Sequence, residues 1–276
     1  MPIAKESMAE IPYHKARKRF GQNFLHDHGV IQRIIRSIHP KAGDRIVEIG
    51  PGQGALTELL LDDAGQLDVV ELDRDLIPTL KLRFGLNPEF RIHEGDALKF
   101  DFSSLRKEDE MLRLVGNLPY NISTPLIFHL LEFQGLIHDM YFMLQKEVVE
   151  RLAAQPGEKH YGRLGIMAQY YCKIDNLFVV GPGCFKPAPK VDSAIVRLEP
   201  YKTIPYPADD VKLLERIVRE AFQQRRKTMR NTLKKLISAD ELTELGIDPV
   251  SRPETVTLPE FVSIANYLHK KAADKR

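Results

Sequence analysis

The chain has 276 residues, 43% hydrophobic and 28% charged, which is the composition of an ordinary globular protein. This length suits one large α/β domain with a small appended domain, and a net charge of +2 does not by itself indicate a partner. Two cysteines are too few for a disulfide framework, and neither a signal-peptide core nor a membrane span is evident, so we expect a cytoplasmic protein without a membrane anchor.

Strand and helix patterns alternate along the first part of the chain. Apolar residues at helical spacing predict a first amphipathic helix within 27–38. Short β-rich runs predict strands at 44–50, 67–73, 111–117 and 138–144, and a strand with the turn after it at 90–98. Helical patterns are found at 54–65, 75–84 and 145–154. This alternation indicates an α/β fold with a parallel, doubly wound sheet.

The pattern changes after residue 160. Residues 164–180 predict a helix and a strand, and 181–200 a proline-rich loop that enters a last strand. The proline-containing stretch 201–210 resembles a linker, so we place the domain boundary near residue 203, between domains 1–203 and 204–276.

The C-terminal part is helical in pattern and basic. Residues 211–276 hold 14 Lys and Arg against 9 Asp and Glu, concentrated in a predicted basic helix at 223–235 and matched by "HKARKR" at 14–19. Such clusters are either phosphate-contacting surfaces or solvated helix faces, and their composition leaves both open.

A glycine-rich loop, "GPGQG", follows the first predicted strand of the sheet. Gly50, Gly52 and Ala55 satisfy the G-x-G-x-x-G/A fingerprint of dinucleotide sites, so a nicotinamide cofactor stays open. A third glycine, Gly54, and the preceding Glu48 favour S-adenosylmethionine instead, because an acid beside the loop suits a sulfonium and an ammonium and would repel a pyrophosphate.

Two further acids end neighbouring strands. Glu71 can accept hydrogen bonds from both ribose hydroxyls of either cofactor. Asp96, in "EGDAL", could accept from an adenine amino group, although turns and helix caps use Asp equally often.

The stretch "GNLPYNIS" at 116–123 suits an exocyclic base amine as substrate. The Asn117 side-chain oxygen and the Leu118 carbonyl could hold the two amine hydrogens out of the ring plane, and Pro119 constrains the backbone. Tyr120 offers a face on which the base can stack. Taken alone, the same residues could form an ordinary strand-ending turn.

Several motifs, in order along nearly the full length, resemble those of the bacterial small-subunit ribosomal RNA adenine dimethyltransferases. They are "RFGQNFL" at 19–25, "EIGPGQGALT" at 48–57, "ELD" at 71–73, "GDAL" at 95–98, "NLPYNIS" at 117–123, "LQKEVVERL" at 144–152, "YGRL" at 161–164, "FKPAPKVDSAIVRL" at 185–198 and "AFQQRRKTMRNTL" at 221–233. The resemblance implies a Rossmann-like class I methyltransferase domain with a small helical C-terminal domain, S-adenosylmethionine as methyl donor and no metal.

The resemblance also implies site residues. The residues that it implies contact the cofactor are Asn23, Leu25, Gly50, Glu71, Asp96 and Asn117. Asn117, Leu118 and Tyr120 would act on the target adenine, with Phe185 sandwiching the base against Tyr120. From the sequence alone, Phe185 is more simply explained as core packing.

The implied substrate is two adjacent adenosines near the 3′ end of 16S rRNA, within the immature small ribosomal subunit. The basic residues expected to track RNA phosphates are Arg225, Arg226, Lys227 and Arg230, although some could pair with the first domain instead. We expect a monomer, with residues 1–18 as a variable basic extension.

Three rival functions share parts of this pattern. A relative that methylates large-subunit RNA and gives macrolide resistance has the same N-terminal domain, but the C-terminal motifs favour the small-subunit enzyme. A DNA adenine methyltransferase usually has Asp where Asn117 stands. The non-enzyme alternative is an RNA-binding assembly factor that has lost catalysis, or a transcription factor derived from this fold. It is disfavoured by the intact Gly50, Glu71, Asn117 and Tyr120.

Overall fold

The computed structural model describes residues 17, 22–107, 110–224 and 226–274. Its strands are β1 (Phe24–Leu25), β2 (Arg45–Ile49), β3 (Leu67–Glu71), β4 (Phe90–Glu94), β5 (Leu112–Asn117), β6 (Ile137–Gln145), β7 (Cys172–Val180), β8 (Phe185–Lys186) and β9 (Ser193–Pro200). Its α-helices are α1 (His28–Ile38), α2 (Thr57–Ala64), α3 (Ile77–Phe84), α4 (Ser123–Leu131), α5 (Lys146–Ala153), α6 (Arg163–Tyr171), α7 (Val211–Phe222), α8 (Met229–Thr232), α9 (Ala239–Glu244) and α10 (Leu258–Ala273). No helix in these ranges is long and apolar enough to cross a membrane.

The main sheet has the order β4-β3-β2-β5-β6-β9-β7. Strands β2 to β6 pair in parallel, and β9 is antiparallel to both β6 and β7. This confirms the predicted α/β fold. The chain runs outward from β2 to β4 and then returns to place β5 on the other side of β2. Open α/β sheets bind ligands at the carboxyl ends of strands that flank such a reversal, here β2 and β5.

Buried apolar runs explain why these segments form the centre of the sheet. Every residue of β2 and β3 is buried, as expected for parallel strands covered on both faces. Helix α1 buries Ile31, Ile34, Ile35 and Ile38 along one stripe. The Asp27 carboxylate caps that helix by accepting a hydrogen bond from the Val30 N–H at 2.8 Å.

The C-terminal helices pack against α6 rather than standing apart from the first domain. Buried residues of α6, including Ile166 and Met167, belong to the same apolar cluster as Leu214 of α7 and Phe261 of α10. The Tyr161 hydroxyl donates to the Val256 carbonyl at 2.8 Å across this contact. The predicted boundary near residue 203 falls between β9 and α7, and the division into two domains stays a prediction.

Three features differ from the predicted elements. Helix α4 was not predicted, because its charge-free sequence lacks a polar face. The two-stranded pairing of β1 with β8 depends on residues about 160 positions apart. The helical pattern expected through the basic segment 223–235 holds only in part, because α7 ends at Phe222 and α8 covers Met229–Thr232.

Candidate active site

A cavity of about 350 Å³ opens at the carboxyl edge of the sheet, beyond β2 and β5. Its volume lies in the range of small-molecule sites, about 300–1,000 Å³. The structure brings together in its wall the predicted residues Asn23, Leu25, Gly50, Glu71, Asp96, Asn117, Leu118 and Tyr120. Five separate segments of the chain therefore converge on one site.

The glycine loop lies along the floor of this cavity. Gly50 has a φ of +67°, which side chains rarely adopt, and its N–H donates to the Val70 carbonyl at 2.9 Å. A Cβ added at Gly50 would meet no protein atom within 4 Å. Because Gly50 lines the cavity, that space is available to a ligand that lies against the backbone.

Glu71 is held rigidly at the end of β3. One of its carboxylate oxygens accepts from the Asp73 N–H at 2.7 Å, and the other lies 3.4 Å from the Gly52 N–H. Asp96 accepts from the Leu98 N–H at 3.0 Å, as a turn residue does. Both acids line the cavity, so each combines a local structural contact with the capacity to accept further hydrogen bonds from a ligand.

Glu48 is a deeply buried acid of the site, with 2% of its surface exposed. Burial raises the pKa of its carboxyl group from 4.5 to about 7, although the Thr57 hydroxyl donates to it at 2.6 Å and favours the charged form. The neighbouring Glu71 raises the pKa further. Glu48 is therefore only partly ionised at neutral pH, and a cation in the cavity would favour its ionised form.

Asn117 ends β5 and contacts the N-terminal segment directly. Its side-chain N–H donates to the Asn23 carbonyl at 3.0 Å. Since the amide nitrogen is used in this way, the orientation of the side chain is set and its oxygen is the acceptor that remains for a ligand. The next residue, Leu118, has a buried side chain, and its N–H donates to the Met143 carbonyl at 3.2 Å.

Tyr120 is held by hydrogen bonds at its side-chain hydroxyl and at its backbone carbonyl. Its hydroxyl and that of Ser193, at the start of β9, lie 2.8 Å apart and share a hydrogen bond. Its backbone carbonyl accepts from the Ser123 hydroxyl at 3.2 Å, at the first turn of α4. These contacts hold the ring in the wall of the cavity.

Phe185 is not among the residues that line the cavity. It lies in β8 opposite Leu25, only 4% exposed, and belongs to the apolar core that includes Leu25 and Val180. The structure thus places Phe185 as core packing that supports β1. Its base-stacking role stays a prediction.

Sequence reasoning missed an ionic cluster beside the cavity. Asp73 is 1% exposed and accepts from the Gln22 side chain at 2.8 Å and from Arg17 at 3.2 Å. The Arg17 guanidinium also pairs with Asp75. This cluster fastens the N-terminal segment to the loop after β3. Gln22 and Asp73 belong to the sequence motifs at 19–25 and 71–73, which marked both segments as functional. Their contact with each other depends on the fold and could not be predicted from the sequence.

The predicted RNA contacts are only partly described. Arg225 lies outside the described residues, as does the "HKARKR" segment apart from Arg17. Arg226, Lys227 and Arg230 are exposed, in and next to the turn between α7 and α8. Within the described ranges, no acidic side chain forms an ion pair with these three cations.

The described residues contain no cluster of His, Cys, Asp or Glu arranged to hold a metal ion. The doubly wound sheet, the glycine loop at its switch point and the acid ending β3 are those of a Rossmann-like fold, and Glu48 beside the loop favours a methyltransferase over a nicotinamide enzyme. A family model described as "Ribosomal RNA adenine dimethylase" matches residues 13–270. The chain belongs to this family, whose activity is the dimethylation of adenine in ribosomal RNA, and S-adenosylmethionine as methyl donor follows from membership.

Individual relatives agree with the family assignment. A protein named "Ribosomal RNA small subunit methyltransferase A" from Pseudomonas aeruginosa is 65% identical over 261 residues, covering 95% of this chain and 97% of its own. A protein of the same name from Hahella chejuensis is 64% identical, covering 93% and 94%.

Solved structures show the same architecture. A dimethyladenosine transferase from Plasmodium falciparum aligns with a TM-score of 0.79 and 28% identity, over 90% of this chain and 98% of its own. The 23S rRNA methyltransferase ErmE aligns with a TM-score of 0.72 and 24% identity, over 90% and 100%. The second likeness concerns the fold alone.

Proposed function

We propose that this protein transfers methyl groups from S-adenosylmethionine to N6 of two adjacent adenosines near the 3′ end of 16S rRNA, giving N6,N6-dimethyladenosines. The observation that carries this proposal is the Asn117 amide, whose nitrogen is held by the Asn23 carbonyl. Its oxygen therefore remains as a fixed acceptor in a cavity that also contains the glycine loop.

The adenine amine needs help to react, because its lone pair is delocalised into the ring. The Asn117 oxygen and the Leu118 carbonyl accept its two N–H groups and turn the lone pair toward the methyl donor. Positive charge develops on the nitrogen as the new bond forms, and these preorganised acceptors stabilise it. The proton is lost after transfer, so no strong general base is needed.

The cavity suits S-adenosylmethionine, which supplies an electrophilic methyl group on a cationic sulfur. Of the residues that line the cavity, Glu71 would bind the ribose hydroxyls and Asp96 the adenine amino group, and the free space at Gly50 would admit the methionine portion. Asn23 and Leu25 would contact the cofactor from the N-terminal segment. Glu48, beside the glycine loop, suits the sulfonium and the ammonium and would repel a pyrophosphate.

The target base stacks on Tyr120 in this proposal, and Phe185 covers its other face. Because Phe185 is buried against β1 in the structure, that role requires its ring to turn toward Tyr120 when RNA binds. The exposed Arg226, Lys227 and Arg230 contact RNA phosphates, with Arg225 beside them in sequence. The enzyme acts as a cytoplasmic monomer on the immature small subunit.

Mass spectrometry of methylated RNA tests the substrate. Small subunits from a strain lacking this enzyme are incubated with the protein and S-adenosylmethionine, with large subunits in a parallel reaction. We expect dimethyladenosine at two adjacent 16S positions and no product in 23S rRNA. Product only in 23S rRNA would overturn the small-subunit assignment, and no product in either would overturn the activity. The Asn117→Ala variant controls for a contaminating methyltransferase.

A further inference from the structure

The hydroxyl of Tyr120 calls for an explanation beyond stacking. A base stacks on the face of an aromatic ring, and phenylalanine presents a comparable face. In the structure the Tyr120 hydroxyl lies 2.8 Å from the Ser193 hydroxyl. Ser193 belongs to a different strand, and nothing in the proposed function assigns it a role.

Ser193 is a rigid anchor. It is 1% exposed at the start of β9, where it pairs with Gln145 of β6 on one side and Val180 of β7 on the other. The preceding Asp192 carbonyl accepts from the Lys146 N–H at 3.0 Å, which holds the entrance to β9 against α5.

Ser193 opens a strand that is otherwise apolar at its start. The residues that follow it in β9, Ala194, Ile195 and Val196, are all buried. A buried hydroxyl without a partner is unfavourable, and an alanine there would have removed that requirement. The Tyr120 hydroxyl, at the wall of the cavity, supplies the hydrogen-bond partner that the buried Ser193 hydroxyl needs.

We propose that Ser193 is a positioning residue for methyl transfer, which acts through its hydrogen bond to Tyr120. The backbone carbonyl is held by Ser123 and the hydroxyl by Ser193, so rotation about χ1 would carry the ring away from the cavity wall and break the bond to Ser193. The bond thereby keeps the ring in the wall of the cavity that Asn117 also lines, where the base would stack. This inference rests on the proposed function, since it assumes that Tyr120 contacts the target adenine.

A double-mutant cycle on the full-length enzyme tests the inference. Ser193→Ala, Tyr120→Phe and the double variant are compared with wild type by single-turnover methylation of small subunits from a strain lacking the enzyme. A neutral hydrogen bond corresponds to roughly a two- to tenfold effect on the rate. We expect each single variant to fall by such a factor and the double variant to fall no further, with the Kd for S-adenosylmethionine unchanged in all three.

A matched control separates positioning from loss of stability. Tyr161→Phe removes a phenol hydrogen bond of the same length, 2.8 Å, at the contact between α6 and the C-terminal helices. It should lower Tm while leaving the single-turnover rate at the wild-type value. If Ser193→Ala fails to fold, Tyr120→Phe still tests the inference, because it removes the same hydrogen bond at the half-buried Tyr120.

The outcomes distinguish this inference from the proposed function. Independent, multiplying effects of the two variants, or wild-type rates in Tyr120→Phe, would overturn the positioning role of Ser193. In that case a severe loss in Tyr120→Ala would still support base stacking. A wild-type rate in Tyr120→Ala would overturn both roles for these residues, and an inactive wild-type enzyme would overturn the proposed function itself.

Discussion

Replacing Glu48 with glutamine should make the protein more stable at alkaline pH. Burial raises the pKa of Glu48 from 4.5 to about 7, so the folded protein retains a proton that the unfolded chain has released. The stability contributed by this proton is present below about pH 4.5 and is lost as pH rises through about 7. Above that pH the folded protein carries a buried charge that Glu48→Gln lacks.

The magnitude follows from the shift in pKa. About 1.4 kcal/mol corresponds to each pKa unit, so Glu48→Gln should gain about 3 kcal/mol of unfolding free energy at pH 8.5. It should gain almost nothing at pH 4.5. The Thr57 hydroxyl can still donate to the glutamine carbonyl, so the local hydrogen bond is retained.

Urea denaturation of both proteins without cofactor, from pH 4.5 to 8.5, measures this difference. A gain that does not vary with pH, or a loss at every pH, would refute the assignment of a protonated Glu48. Calorimetry at pH 8 adds a second measurement. Glu48→Gln should weaken the binding of S-adenosylmethionine more than that of S-adenosylhomocysteine, because only the former carries the sulfonium charge. Equal losses of affinity for the two ligands would show that Glu48 does not act on that charge.

Three further predictions concern other parts of the site. Asn117→Ala should lower the single-turnover rate by about a hundred- to a thousandfold with the fold intact by circular dichroism; more than about a tenth of the wild-type rate would contradict its role. Gly116→Ala should destabilise the protein in thermal unfolding, because its Cβ would lie 2.6 Å from the Ile49 carbonyl oxygen; an unchanged Tm would contradict this. Arg226→Ala should reduce the log–log salt slope of subunit binding by about one unit at unchanged S-adenosylmethionine affinity and Tm; a lower Tm with an unchanged slope would indicate an ion pair instead.

Local patterns in the sequence were enough to predict the alternating strands and helices and the glycine loop. Residues at the ends of successive parallel strands meet at one edge of a sheet, whatever the details of packing. For this reason Gly50, Glu71 and Asn117 could be placed in one site before their distances were known. The resemblance to a methyltransferase family supplied the RNA substrate, which composition did not.

Only the tertiary structure decided which partners complete the site. The Asn117 amide forms a hydrogen bond with Asn23, which lies 94 positions away in the sequence. The Tyr120 hydroxyl forms one with Ser193, which lies 73 positions away. No periodicity links such residues, because their contact depends on the pairing of β1 with β8 and on the antiparallel return of β9. The pKa of Glu48 was likewise decided by the fold, since burial is a property of everything packed around the side chain and not of its neighbours in sequence.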